Sequence, residues 1–305
     1  MKQSELVRKI DQLKKKRNAV ILAHNYQRKE VQEVADYLGD SLGLSIKASQ
    51  TDKDVIVFCG VYFMAETAAI LAPDKTVLIP DDEAGCPMAD MIKKSQLEKW
   101  KKENHDKKVV CYVNSTADVK AGCDICCTSS NAVDVVDSLE DDAVLFAPDG
   151  NLASYVAQKS SKKIIPWEGY CYVHEEIEPK DILKLKQAYP DSEVWVHPEC
   201  RPEVTKLADK VFSTGGMVEE ARRTDRKDII IGTEIGIINR LKRENPEKNF
   251  HPARKQSVCK DMKKITLEKV YLSLKNMEIK VIVPDKVRKK AKKAIERMID
   301  ISPSD

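Results

Sequence analysis

The chain repeats itself, and that repeat limits its fold more than any other feature. Three short apolar runs each lead into two polar residues spaced one apart. Residues 19–23 precede His24 and Tyr26, residues 109–111 precede Tyr112 and Asn114, and residues 194–196 precede His197 and Glu199. Seventeen residues past the first polar position of each set stands a hydroxyl: Ser41, Ser129 and Thr214. A second apolar run then opens on Asp54, Asp142 or Asp228. Pro80, Pro166 and Pro252 follow at intervals of 86, and five to seven residues after each comes Cys86, Cys171 or Cys259. The unit is about 85–88 residues long. Separate features keeping one register mark a tandem architecture.

Each apolar run reads as a strand buried on both faces of a parallel sheet. Helical patterns, such as residues 31–38 and 132–139, lie between the runs. Strands alternating with helices predict α/β layers. The expected fold is three tandem homologous α/β domains with parallel sheets around a pseudo-threefold axis. Ligands of such sheets gather beyond the carboxyl ends of the strands, so the active site is expected at the centre. The expected boundaries are 1–105, 106–190 and 191–265, with a helical tail over 266–305. The tail does not match a fourth unit. It predicts helices over residues 266–273 and from Pro284 to about residue 299, packed back on the first unit.

Charge and composition exclude several classes. The formal net charge is only +3 although 33% of residues are charged, so no basic face for nucleic acid is implied. Residues 1–17 read as a charged amphipathic helix without the apolar core of a signal peptide. No apolar run approaches a membrane span. Nine cysteines, an odd number, without a secretory signal argue against a disulfide framework. These features predict a cytoplasmic protein.

Only Cys86, Cys171 and Cys259 occupy the repeat-equivalent position. Three thiolates converging on one centre would make a metal site. Iron–sulfur clusters normally take four cysteines, so three would leave one iron open, as a catalytic metal requires. Cys123, Cys126 and Cys127 form a competing local group. Their single C-x-x-C lacks a second pair at zinc spacing, and they read as structural or surface thiols. Cys59 and Cys111 sit in apolar runs and read as core, while Cys200 follows Glu199 and belongs near the site. Three cysteines with water could instead hold zinc in a hydrolase. A cluster serving as a redox sensor is a third reading.

Six segments together are similar to the quinolinate synthase family. They are His24-Asn25-Tyr26-Gln27, Phe63-Met64-Ala65-Glu66-Thr67-Ala68, Cys86-Pro87-Met88-Ala89-Asp90, Tyr112-Val113-Asn114, His197-Pro198-Glu199-Cys200 and Ser213-Thr214-Gly215-Gly216-Met217. The resemblance runs from about residue 19 to the final helix. It implies a three-domain fold and a [4Fe–4S] cluster on Cys86, Cys171 and Cys259. It also implies condensation of iminoaspartate with dihydroxyacetone phosphate to give quinolinate, phosphate and two waters in NAD synthesis. The enzyme that produces iminoaspartate is the candidate protein partner. Some members carry extra cysteines just before the last ligand, whereas Cys259 stands alone here.

That chemistry assigns roles. Tyr26 and Glu199 are the expected proton-transfer groups, with Glu199 the main base. His24 and His197 are expected to donate hydrogen bonds to substrate, and Tyr112 and Asn114 to orient a carboxylate. Ser41, Ser129 and Thr214 are expected at helix N-caps, where three N-termini would trap the carboxylates and the phosphate. Gly215-Gly216 suggests the phosphate end. His174, three residues past Cys171, reads either as a partner of the cluster or as a surface histidine.

Overall fold

The computed structural model describes residues 2–301. The first unit runs α1 (Gln3–Arg17), β1 (Ala19–His24), α2 (Lys29–Val34), β2 (Tyr37–Gly39), α3 (Ser41–Gln50), β3 (Val55–Cys59), α4 (Tyr62–Leu71) and β4 (Thr76–Leu78). Helix α5 (Lys94–Glu103) leads into the second unit, with β5 (Lys108–Tyr112), α6 (Ala117–Lys120), β6 (Ile125–Cys127), α7 (Ala132–Asp137), β7 (Ala143–Ala147), α8 (Gly150–Lys159) and β8 (Lys163–Pro166). The short α9 (Tyr172–Glu175) and α10 (Pro179–Ala188) lead into the third. It continues with β9 (Glu193–Val196), α11 (Pro202–Thr205), β10 (Lys210–Val211), α12 (Thr214–Arg223), β11 (Asp228–Gly232), α13 (Ile237–Glu244) and β12 (Asn249–Pro252). The chain then ends in α14 (Leu267–Asn276) and α15 (Asp285–Ile301).

The three sheets are alike. Each has four parallel strands, ordered β2-β1-β3-β4, β6-β5-β7-β8 and β10-β9-β11-β12. All six residues of β1 are buried, as an apolar strand covered on both faces should be. Ile21, Ile56, Val110 and Trp195 are wholly inside, and each such side chain contributes roughly 1.5–3 kcal/mol by leaving water.

A second repeated device ties each unit together. Asp36, Asp124 and Asp209 each accept the amide of a first-strand residue: Ile21 at 2.8 Å, Val109 at 2.9 Å and Val194 at 2.7 Å. A lysine from the helix preceding that strand reaches the same carboxylate: Lys14 at 2.6 Å, Lys101 at 3.5 Å and Lys186 at 3.4 Å. The ion pairs are partly exposed and contribute little, but each carboxylate satisfies an amide that opens the ladder.

The sequence reading differs from the structure at the short elements. The helix expected over residues 31–38 stops at Val34, because residues 37–39 form β2. Each unit holds two strands more than expected. These are only two to four residues long, too short to show a period. Beyond Cys259 the repeat also runs further than expected. A turn at Met262–Lys264 and then α14 follow Cys259, as a turn at Ala89–Met91 and then α5 follow Cys86. Both segments carry Asp-Met and Leu-Glu-Lys at corresponding places. Helix α14 lies on α1, whereas α15 lies on α6 and β6 of the second unit as well as on α4 of the first. Residue 1 and residues 302–305, the ends of the expected first unit and tail, fall outside the described residues.

Candidate active site

The three first strands end at one cavity. His24 closes β1, Tyr112 closes β5, and His197 follows β9. The cavity is lined by His24, Tyr26, Ser41, Cys86, Tyr112, Asn114, Ser129, Cys171, His197, Glu199, Thr214 and Cys259, every site residue expected from the sequence. Asp40 and His174 line it too, with an apolar wall that includes Val61, Phe63, Met64, Met88, Val173 and Met262.

Glu199 is the centre of its hydrogen bonding. Its Oε1 accepts from the Tyr112 hydroxyl at 2.6 Å and from Asn114 Nδ2 at 3.3 Å. Its Oε2 lies 2.7 Å from His174 Nδ1 and 3.7 Å from His197 Nδ1. The other nitrogen of His174, Nε2, is 2.7 Å from Thr233 Oγ1, which is 2.6 Å from the Tyr26 hydroxyl. A carboxylate only accepts, so a ring proton of His174 on Nδ1 would face Glu199, and in that tautomer Nε2 would be an acceptor. Thr233 would then donate to His174 and accept from Tyr26. The two expected proton-transfer groups thus stand at opposite ends of one chain of close polar contacts. His174 is 1% exposed along its side chain and belongs to this chain, which rejects its reading as a surface residue. Thr233 lies just past β11 and carries no repeat-equivalent hydroxyl, so sequence pattern did not single it out.

Burial sets the charges. It pushes the phenols of Tyr26 and Tyr112 well up, so both stay protonated. Burial opposes ionisation of Glu199 as well, but contacts with His174 and His197 and the Tyr112 hydroxyl outweigh it and bring the group down to about 2. Burial pushes His24 and His197 down to about 3, so both are uncharged near neutrality. A pH dependence of stability follows. An unfolded histidine takes up its proton at about 6.5, whereas these two refuse it until about 3. Their contribution is complete above about pH 6.5 and falls with pH, by about 1.4 kcal/mol per unit for each residue. Urea midpoints at about pH 7.5 and 5.5 should show the loss. It should shrink in a variant carrying His24→Gln and His197→Gln, and an undiminished loss would reject this origin.

The thiols arrive by a common route. Cys86, Cys171 and Cys259 each start a turn of helix, and their carbonyls accept from Asp90 at 3.3 Å, His174 at 3.1 Å and Lys263 at 3.2 Å. Burial pushes all three thiols up, Cys259 to about 11. Cys171 is pushed further by Glu199 and by the other two thiols, and Cys86 by Cys259. The three sulfurs are therefore close enough for charge on one to disfavour charge on another. Cys171, His174 and Glu199 also bring potential ligand atoms within 4.8 Å of one another, a candidate metal group.

The remaining cysteines stay outside this cavity. Cys126 and Cys127 are buried in β6, Cys111 is buried in β5, and Cys123 donates to the carbonyl of Val119 at 3.1 Å. Cys200 is buried and donates to the carbonyl of Gly232 at 3.4 Å. Its position beside Glu199 in sequence does not bring it to the cavity lining.

The expected N-caps are displaced. Asp40 caps α3 by accepting from Gly43 at 2.9 Å, and Ser213 caps α12 by accepting from Gly216 at 3.2 Å. Ser41 and Thr214 are the first helical residues, and Ser129 precedes Asn131, the residue that leads into α7. Counting from the strand end located the hydroxyls, but the cap belongs to the residue whose dihedrals leave the helix. Thr214 Oγ1 accepts from Asn25 at 3.0 Å. A Cβ on Gly215 would sit 2.6 Å from Asp40 Oδ2, so that glycine admits a carboxylate of the first unit.

Three parallel-sheet units that deliver acid–base groups, and thiols from the turns behind them, to one cavity define an α/β enzyme. The family model described as quinolinate synthetase A protein matches residues 8–300. Quinolinate synthase of Dehalococcoides mccartyi (strain CBDB1) is 58% identical over 293 residues, covering 96% of this chain and 97% of the relative. That of Methanosarcina barkeri (strain Fusaro) is 52% identical over 301 residues and 99% of each chain. That of Thermodesulfovibrio yellowstonii is 52% identical over 296 residues, 97% of this chain and 98% of the relative. The chain belongs to the quinolinate synthetase A family. A solved E-1-hydroxy-2-methyl-but-2-enyl-4-diphosphate reductase from Plasmodium falciparum overlays with a TM-score of 0.31 at 12% identity, covering 90% of this chain and 94% of that one, too loose a likeness to carry an argument.

Proposed function

We propose that the chain condenses iminoaspartate with dihydroxyacetone phosphate to form quinolinate, phosphate and two waters, for de novo NAD synthesis. The observation that carries this reading is the meeting in one cavity of acid–base groups from all three units with three thiols. The units are read as residues 1–105, 106–190 and 191–265, set around a pseudo-threefold axis, and the three equivalent strand ends at one cavity support that reading. The reaction is placed in the cytoplasm. Imines hydrolyse in water, so the enzyme that supplies iminoaspartate is the natural protein partner. Among the described residues, no helix is long and apolar enough to cross a membrane.

A [4Fe–4S] cluster fits the donor set. Cys86, Cys171 and Cys259 are soft ligands that burial and mutual repulsion make costly to ionise without a cationic partner. Three cysteines for four irons leave one iron able to act as a Lewis acid. The adjacent His174 and Glu199 face one another at 2.7 Å, which favours their acid–base role over ligation.

In this reading Glu199 takes protons from the substrate. Tyr112 and Asn114 steady its Oε1, and His174 steadies its Oε2. Tyr26 supplies a proton from its hydroxyl, and the chain through Thr233 and His174 returns one to it when each bond reverses. The uncharged His24 and His197 donate hydrogen bonds to substrate oxygens. Ser41, Ser129 and Thr214 bind the anionic ends near the starts of α3, α7 and α12. The apolar wall excludes water from the groups being dehydrated.

Anaerobic preparation tests the proposal. The expected result is a brown protein with about four irons per chain that turns over the two substrates. Zinc in place of iron would point to a hydrolase, and iron without turnover to a sensor.

A further inference from the structure

Glu234 belongs to none of the roles above, yet it is wholly buried between the first and third units. Its Oε1 accepts the amide of Cys259 at 3.1 Å and lies 2.9 Å from Lys263 Nζ. Its Oε2 accepts the amide of Gly236 at 2.6 Å. Lys263 Nζ also donates to the main-chain carbonyl of Tyr26, and the Lys263 carbonyl accepts from Arg28 Nε at 2.8 Å. A Cβ on Gly236 would lie 2.5 Å from the Tyr26 carbonyl oxygen and 2.7 Å from Lys263 Nζ, so only glycine admits the junction. In strand register Cys59, Ala147 and Gly232 are equivalent, so the counterparts of Glu234 are Val61 and Asp149. Asp149 is likewise a buried carboxylate, and the backbone amide of Cys171 favours its charged form, so the second unit shares the carboxylate while the pairing with Lys263 is found at Glu234.

We infer that Glu234 is a positioning residue that fixes the main chain of Cys259 directly and that of Tyr26 through Lys263. One ion pair on a buried carboxylate would then hold a thiol ligand of the third unit and the proton donor of the first unit in a constant relation. The Cys259 part rests on the reading above that Cys259 holds the cluster. A partner that aligns a metal ligand is typically worth 10–100-fold in metal retention or activity. Removing the Glu234 charge also leaves the Lys263 ammonium without its counter-charge.

The experiment follows iron release to a ferrous chelator from anaerobically prepared protein, below the melting temperature of every variant. Glu234→Gln is expected to release iron about 10–100-fold faster than the parent and to alter the electron paramagnetic resonance spectrum of the reduced cluster. Lys263→Met is expected to act in the same direction, and Lys263→Arg to restore retention relative to Lys263→Met. A role in stability alone would lower the melting temperature and leave release below it unchanged. Cys259→Ser is prepared alongside. Full iron in Cys259→Ser would overturn the ligand assignment, whereas iron-poor Cys259→Ser with parental release from Glu234→Gln would overturn the positioning role. If Glu234→Gln does not fold, Lys263→Met decides, and parental release from it overturns the inference.

Discussion

Replacing Glu199 by glutamine is expected to slow quinolinate formation by about 10²–10⁴-fold while leaving the fold and the bound iron in place. Glutamine keeps the length and planarity of the side chain. Its amide oxygen still accepts from Tyr112, which donates to Oε1 at 2.6 Å. What is lost is the charge, and with it the base. The amide nitrogen would also face His174 Nδ1, now 2.7 Å from Oε2. His174 would have to accept there and carry its proton on Nε2, which reverses its bond with Thr233. The supply of protons to Tyr26 is then disturbed together with the base. Steady-state kinetics check this, because kcat should fall while KM and iron content stay close to the parent's. Near-parental kcat would assign the base to another group.

Replacing Cys171 by serine is expected to remove most of the iron from anaerobically prepared protein and to abolish turnover. A hydroxyl is a harder and far less acidic ligand than a thiol, so one of three anchors is lost. Cys86→Ser and Cys259→Ser should behave alike, because their thiols interact with that of Cys171 in the same cavity. Cys123→Ser, Cys126→Ser and Cys127→Ser should keep their iron, since those residues pack in and beside β6. Metal analysis of the six proteins decides. Full iron in Cys171→Ser would sink the assignment, and iron loss confined to the local trio would move the cluster there.

Much of the architecture is legible in the sequence because it is periodic. Doubly covered parallel strands need unbroken apolar runs, and residues 19–23, 109–111 and 194–196 supply them. Units of similar length must place equivalent turns at equivalent positions, so counting along the chain located twelve cavity residues. Counting failed where an element is too short to show a period, as with β2, β6 and β10. It also failed where a copy had diverged, as with the segment from Asp261 through α14. The cap positions were missed for a related reason. Asp40 and Ser213 precede the residues that the count selected, and only backbone geometry separates a cap from a first helical residue.

The sequence by itself determined the class of fold, the family and the membership of the cavity, because each depends on residue type and spacing along one chain. The tertiary structure decided which groups act on which. Tyr112 meets Glu199 across 87 positions, His174 meets Thr233 across 59, and Thr233 meets Tyr26 across 207. It also decided that Lys263 pairs with Glu234 while reaching the backbone of Tyr26. No period along the chain encodes such partnerships. They arise when three sheets turn their strand ends toward one another, and burial then favours partners for most of the polar atoms brought inside.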